Sequence, residues 1–341
     1  MILVTGGTGL VGTHLLYDLT RSGKKVRVIQ RANSNISNVK KVFSYYTSDV
    51  DSLLKNIEWV HADLLDVYSM MEAMEGVTEV YHCAAMVSFE KKHLAEMTKI
   101  NVEGTANVVN AALEKGIKKF CHVSSIASLG RAERGEQTSE ETFWKSSPEN
   151  SNYSITKYAA EREVWRAAEE GLNVVIVNPS LILGGGNWTQ SSSNMFTKAY
   201  KGIKFYSGGA NGFVDVRDVA AIMIKLMESD ISNQRFLLNG ENASFKYYFE
   251  MIHEAFGKPA PSIKAGKFLT GFAWRAEMFR TLVTGSVPLI TKETSVSANR
   301  QSCFSNKKIL KTFPGYQFIT LAQSINDTCA LYLKDLKRPH P

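Results

Sequence analysis

The stretch "ILVTGGTGLVGTHLL" (2–16) constrains this chain more than any other. It joins a short apolar, β-branched run to a helical pattern through Gly6-x-x-Gly9-x-x-Gly12. Each glycine has a physical reason. The turn must be tight, the backbone must come close to a pyrophosphate, and helix and strand must pack with no Cβ between them. The first helical residues, Leu10 and Val11, present N–H groups and the positive end of the helix dipole to the anion. A strand before and a helix after are the context in which this pattern binds a dinucleotide.

The first half of the chain keeps alternating in this way. Strands are expected at 2–6, 25–30, 57–62, 79–85, 118–125 and 173–179, and helices at 10–22, 66–75, 91–115 and 153–171. Strand–helix–strand order implies a parallel sheet with helices on both faces, and several strands are apolar nearly throughout, as double coverage requires. After Pro179 the regularity stops. "LILGGGNWTQSSSN" (181–194) reads as a loop, followed by a helix at 194–201 and a Gly-rich turn, "SGGANG" (207–212). A short strand and an amphipathic helix are expected over 213–229, a strand at 235–240 and a closing helix near 320–335. The 341 residues suit two parts. Residues 1–180 with about 213–240 would form the nucleotide-binding domain, and about 181–212 with 241–335 a smaller, mostly helical substrate lobe.

A net charge of +7 is spread over separated lysine pairs, so no basic arm for nucleic acid is expected. An anionic cofactor accounts for the charge. The four cysteines show no C-x-x-C spacing and the histidines no metal-ligand spacing, so no metal is expected. Cys83 and Cys121 lie in apolar runs and read as core thiols of a reducing, cytoplasmic compartment. The first strand starts at Met1-Ile2, which leaves no removable leader, and no apolar run reaches the ~18 residues of a membrane span.

Cofactor choice is read at the end of the second strand, "QRAN" (30–33). An acid there takes the ribose hydroxyls of NAD, whereas an Arg accommodates a 2′-phosphate. Arg31 without an acid favours NADP(H), with NAD(H) retained as the reading if Arg31 is only a solvated charge. Asp63, beside Leu64 in "HADLLD", is placed for an adenine amino group or for a helix N-cap. Ala84 and Ala85 end the fourth strand with small residues against which a flat cofactor can lie.

The fifth strand runs into "VSSIAS", bringing Ser124 or Ser125 to the carboxyl end of the sheet, where open α/β sheets bind ligands. Tyr153-x-x-x-Lys157 follows, both on one helix face. A free phenol has a pKa near ~10, and a neighbouring ammonium favours its phenolate. Such a group can pass a proton to or from a carbonyl oxygen while a Ser hydroxyl steadies that oxygen. Tyr200 and Lys204 have the same spacing, but they follow no serine-bearing strand.

Together the glycine turn, the serine after the fifth strand, Tyr153-x-x-x-Lys157, "NPSLILG" (178–184) and "FVDVRDVA" (213–220) resemble the extended short-chain dehydrogenase/reductases. Arg31 makes the chain look most like the dihydroflavonol 4-reductase and 3β-hydroxysteroid dehydrogenase branch. The resemblance implies a Rossmann-type doubly wound α/β fold with Ser125, Tyr153 and Lys157 as catalytic triad. It also implies that Lys157 holds the nicotinamide ribose, that Pro179 and Ser180 line the nicotinamide, and that Asn101 lies near the active site. A homodimer through the helices near 91–115 and 153–171 is implied as well. The substrate would be a small carbonyl compound or alcohol, with Ser88 of "MVSFEK" and Asn178 as candidate contacts, the latter also as a turn cap. "KFLTGFAWRAEMFRTLV" (267–283) reads as a pocket lid or an interfacial helix. A sugar-nucleotide epimerase or dehydratase is disfavoured by the missing acids at 30, 31, 126 and 127, and a dinucleotide sensor by the intact Tyr153 and Lys157.

Overall fold

A computed structural model of the chain describes residues 1–32, 34–133, 135–266, Trp274 and 292–337. Its centre is a parallel sheet of β1 (Ile2–Thr5), β2 (Val26–Gln30), β3 (Ile57–His61), β4 (Glu79–His82), β5 (Lys119–Val123), β6 (Val174–Pro179) and β10 (Gln234–Leu238). The strand order is β3-β2-β1-β4-β5-β6-β10. The direction of winding reverses between β1 and β4, so the connections leaving their carboxyl ends diverge and open a crevice there.

Apolar residues hold both faces. The helices Leu10–Arg21 and Val216–Glu228 cover one face, where Leu15, Leu16, Leu19, Ile222, Met223 and Leu226 meet Val4 and Val28. On the other, the helices Val67–Ala73, Gly104–Glu114 and Asn152–Glu169 pack Val108, Val109 and Val164 on Leu3, Val80 and Phe120. Strands covered on both sides gain stability from apolar residues at every position, which is why β1 and β6 are buried throughout.

The second half differs from the sequence reading in an informative way. "LIL" is β7 (Leu181–Leu183), and "SGGANG" joins β8 (Phe205–Ser207) to β9 (Ala210–Asp215) rather than forming a simple turn. β9 pairs parallel with β7 and antiparallel with β11 (Glu241–Ser244), and β8 pairs with β12 (Ile263–Ala265). The glycines mark close backbone approach. A Cβ on Gly209 would stand 2.3 Å from the Ala298 carbonyl oxygen, and one on Gly212 2.1 Å from Asn239 Oδ1. Phe196, Phe213, Tyr248, Ile252, Leu321 and Ile325 form a separate core behind this sheet.

The helix expected at 91–115 is composite: a 3₁₀ turn at Lys91–His93, α-helix at Leu94–Met97, a π turn at Thr98–Glu103 and α-helix from Gly104 to Glu114. Two short helices, Ser37–Phe43 and Val50–Leu54, were not foreseen. The 267–283 segment lies outside the described residues except for Trp274. Among the described residues no helix is long and apolar enough to cross a membrane, and no group of His, Cys, Asp and Glu is arranged to hold a metal.

Candidate active site

The glycine turn is a cradle with no room for side chains on its inner side. Gly6 sits at φ +67°, and a Cβ there would fall 2.6 Å from the Ala84 backbone nitrogen. A Cβ on Gly12 would lie 2.2 Å from the Gly6 carbonyl oxygen. Gly9 is different: its Cβ would meet only that same oxygen, at 3.3 Å, so its other side is open for a ligand's approach. The N–H groups of Leu10, Val11 and Gly12 open the following helix and have no partner within it. This backbone fits a pyrophosphate. Ala84 is small because β1's turn rests on it, a tighter constraint than the expected flat cofactor face.

Behind the turn runs a chain of hydroxyl and imidazole contacts. Thr105 Oγ1 donates to the Asn101 carbonyl (2.6 Å), so His82 Nε2 carries the proton it shares with Thr105 (2.9 Å). His82 Nδ1 then accepts from Thr5 Oγ1 at 2.7 Å. Burial, with Lys157 nearby, pushes the His82 imidazole down to about 3, so it stays neutral. Asn101 lies in the π turn, fully buried, and clasps both backbone groups of Met86 (2.7 and 2.9 Å) and Thr156 Oγ1 (3.2 Å). It fixes the base of the loop that carries Ser88 and Phe89. Ser88 Oγ itself pairs with His93 Nδ1 at 2.8 Å.

Beyond β2 and β3 lies a cavity of about 170 Å³ whose walls include Arg31, Asp63, Leu64, Leu65 and Lys99. Arg31 is exposed there. Asp63 Oδ1 accepts the Leu65 N–H (3.0 Å), whereas the N-cap of the next helix is Asp66, which accepts from the Tyr68 and Ser69 N–H groups. The capping alternative for Asp63 is thereby removed. Lys99, from the π turn, is a wall residue that strand-end reasoning had no means of finding.

The catalytic candidates meet at the carboxyl end of β5. The Ser151 hydroxyl accepts the Ser154 N–H (3.1 Å) and starts the helix, which places Tyr153 in its first turn. Lys157, one turn on, is 2% exposed and donates from Nζ to the Val123 carbonyl at 2.9 Å. The two serines diverge. Ser124 is buried and donates to Glu161 Oε2 (2.6 Å), as does Ser128 (2.6 Å), whereas Ser125 is half-buried and acts on the Tyr153 phenol. Phe89 stands edge-on to the Tyr153 ring, centroids 5.8 Å apart.

The electrostatics differ from the expected lowering of the phenol. Burial raises the Tyr153 pKa, opposed by the Ser125 hydroxyl. Burial also pushes the Lys157 ammonium down to about 8, with Glu161 and Cys83 acting against the shift. The ammonium is spent partly on Val123, so desolvation of the phenol dominates.

Pro179 and Ser180 end β6 beside this group; Ser180 is buried, its N–H donates to the Leu238 carbonyl (2.9 Å), and its Oγ has no partner. Asn178 is fully buried, and its amide nitrogen turns inward to Glu161 Oε2 (2.8 Å), Ser128 Oγ (2.9 Å) and the Ser125 carbonyl (3.2 Å). That is the place of a scaffold rather than of a substrate contact or a turn cap. The Tyr200 ring packs instead on Phe256 and Tyr332 in the other core.

The model of the NAD-dependent epimerase/dehydratase family matches residues 2–238. The chain belongs to that family. It is thus an NAD(P)-dependent enzyme acting on alcohol and carbonyl groups. It is 31% identical over 263 residues to sterol demethylase protein B of Methylococcus capsulatus, covering 76% of each chain. A putative dihydroflavonol 4-reductase of Synechocystis is 30% identical over 283 residues, covering 80% of this chain and 78% of its own. Among solved structures, that of gox2253 superposes with a TM-score of 0.81 at 29% identity over 98% of both chains.

Proposed function

We propose that the protein is an NADPH-dependent reductase of a ketone or aldehyde, also able to oxidise the corresponding alcohol, with Tyr153 as proton donor and acceptor. The observation that carries this is the convergence of the half-buried Ser125, the Tyr153 phenol and the buried Lys157 at the carboxyl end of β5, where Ser125 acts on the phenol. When bound, the nicotinamide supplies or accepts the hydride. Ser125 and Tyr153 hold the substrate oxygen between two hydroxyls, and the phenol gives up its proton as charge develops there. A phenol raised by burial keeps that proton at neutral pH, which suits the reducing direction. Lys157 sets the field around the phenol and would hold the nicotinamide ribose when the cofactor is bound. Phe89 gives the substrate oxygen an apolar flank.

Residues 1–180 and 213–240 would hold the cofactor, and 181–212 with 241–335 the substrate. The resemblance further supports a homodimer through the helices near 91–115 and 153–171, and the cysteine pattern a cytoplasmic location. Arg31, with no acid at the end of β2, supports NADPH over NADH. A charge-assisted bond to the 2′-phosphate is worth about 1.5–3 kcal/mol, so Arg31→Ala should weaken NADPH roughly 10- to 100-fold and leave NADH unchanged. Calorimetric titration of both cofactors tests this; equal affinities in both proteins would remove the NADP assignment. Following NADPH oxidation across a panel of ketones and aldehydes tests the reaction.

A further inference from the structure

We propose that Glu161 is a positioning residue of this reaction: one turn beyond Lys157, its buried carboxylate ties the serine-bearing end of β5 to the Tyr153 helix and gives Lys157 its countercharge. The proposal rests on the reading of Tyr153 and Lys157 as the proton-transfer pair.

Glu161 is 2% exposed, and all its polar neighbours approach as donors. On Oε2 it receives Ser124 Oγ (2.6 Å), Ser128 Oγ (2.6 Å) and Asn178 Nδ2 (2.8 Å). On Oε1 it receives Trp165 Nε1 (3.3 Å) and Arg235 Nη1 (3.1 Å). Tryptophan and arginine only donate, so the atom at Oε1 must accept, and at Oε2 the Asn178 amide nitrogen asks for an acceptor as well. An amide would turn an NH₂ onto donors on one side or the other.

These bonds bear directly on the catalytic groups. Ser124 is the neighbour of Ser125 in the chain, the single Ser128 hydroxyl proton lies between Glu161 Oε2 and the Ser125 carbonyl (2.7 Å), and Asn178 Nδ2 reaches that carbonyl from β6. Three elements therefore converge on one carboxylate: the end of β5, β6 and the Tyr153 helix. Positions 157 and 161 share a helix face, and the Glu161 charge acts on the Lys157 ammonium through space.

The charges around Lys157 make the arrangement directional. His82 on β4 and His122 on β5 face it, and burial keeps both imidazoles neutral. Burial likewise pushes the Cys83 thiol up to about 12, so it carries no charge at neutral pH. Glu161 is then the anion opposing desolvation of Lys157. On its far side Arg235 pairs with Glu161, with Lys308 and Glu140 flanking that guanidinium.

The sign follows. Removing the Glu161 charge lets burial lower the Lys157 pKa further, so the ammonium is lost at lower pH. Removing Arg235 leaves the Glu161 charge unshared and raises it. The test is the pH profile of carbonyl reduction by NADPH, using the fastest-turned aldehyde of the panel. For Glu161→Gln the alkaline limb should move down by about one pH unit, and kcat should fall roughly 10- to 100-fold while the NADPH Kd stays within about threefold. Arg235→Gln should move the limb the other way, and carries the test if Glu161→Gln does not fold. Trp165→Phe removes a donor but no charge; it should lower Tm without moving the limb. A limb unchanged in Glu161→Gln, one moving downward in Arg235→Gln, or one moved equally by Trp165→Phe overturns the proposal. If Tyr153→Phe keeps normal turnover, the proton-transfer reading itself fails, whatever Glu161 does.

Discussion

Gly12→Ala tests the phosphate cradle at its tightest point. The added methyl carbon would lie 2.2 Å from the Gly6 carbonyl oxygen, 2.8 Å from Gly7 Cα and 2.9 Å from the Gly6 carbonyl carbon. All three are backbone atoms, so no side chain can swing aside. Relief requires the helix and the turn to part by about 1 Å, and a misplacement of that size commonly costs about 10²-fold in function. The N–H groups of Leu10, Val11 and Gly12 are the ones displaced. We therefore expect NADPH affinity to fall about 100-fold, or about 2.7 kcal/mol. Overpacking should cost a further ~1–3 kcal/mol of stability. Fluorescence titration with NADPH gives the first quantity and thermal denaturation the second. Gly9→Ala separates the two effects, because its methyl would meet only the Gly6 carbonyl oxygen, at 3.3 Å: affinity should fall while Tm changes far less than in Gly12→Ala. Near-normal NADPH binding by Gly12→Ala, with the fold intact, would refute the reasoning.

Other consequences are smaller in scope. His122 is fully buried, neither ring nitrogen has a partner, and burial holds its pKa well below the ordinary value. It takes up a proton only on unfolding, so stability is lost as pH falls below about 6.5; His122→Leu should lessen that fall by about 1.4 kcal/mol per pH unit, read from urea unfolding at pH 5 and pH 7.5. Asp66 caps the helix Val67–Ala73 through the Tyr68 and Ser69 N–H groups, and Asp66→Ala should cost about 1 kcal/mol in the same assay, with unchanged NADPH affinity.

What was legible in the sequence was whatever is set by neighbours along the chain. The parallel sheet follows from apolar runs that need cover on both faces, and the glycine turn from three glycines spaced three positions apart. Tyr153 and Lys157 could be paired as candidates because a helix places i and i+4 together, and they were preferred to Tyr200 and Lys204 on context alone. What stayed hidden depends on long-range pairing. β9 finds β7 and β11 only through the fold, so its glycines read as a turn. The choice between Ser124 and Ser125 needed the orientation of Glu161, 37 positions beyond Ser124. Asn178 looked available because it precedes a proline, yet β6 turns it inward. The direction of the Tyr153 shift was misjudged because a sequence shows the neighbouring lysine but not the desolvation of both groups.

The central claim is that Tyr153 carries the proton. Tyr153→Phe removes only the hydroxyl and leaves the ring against Phe89 and the helix start at Ser151. With NADPH and the best carbonyl substrate of the panel, the account predicts a kcat lower by roughly 10²–10⁴-fold, with NADPH affinity and Tm unchanged. Turnover within about threefold of wild type, at normal NADPH affinity, would contradict it.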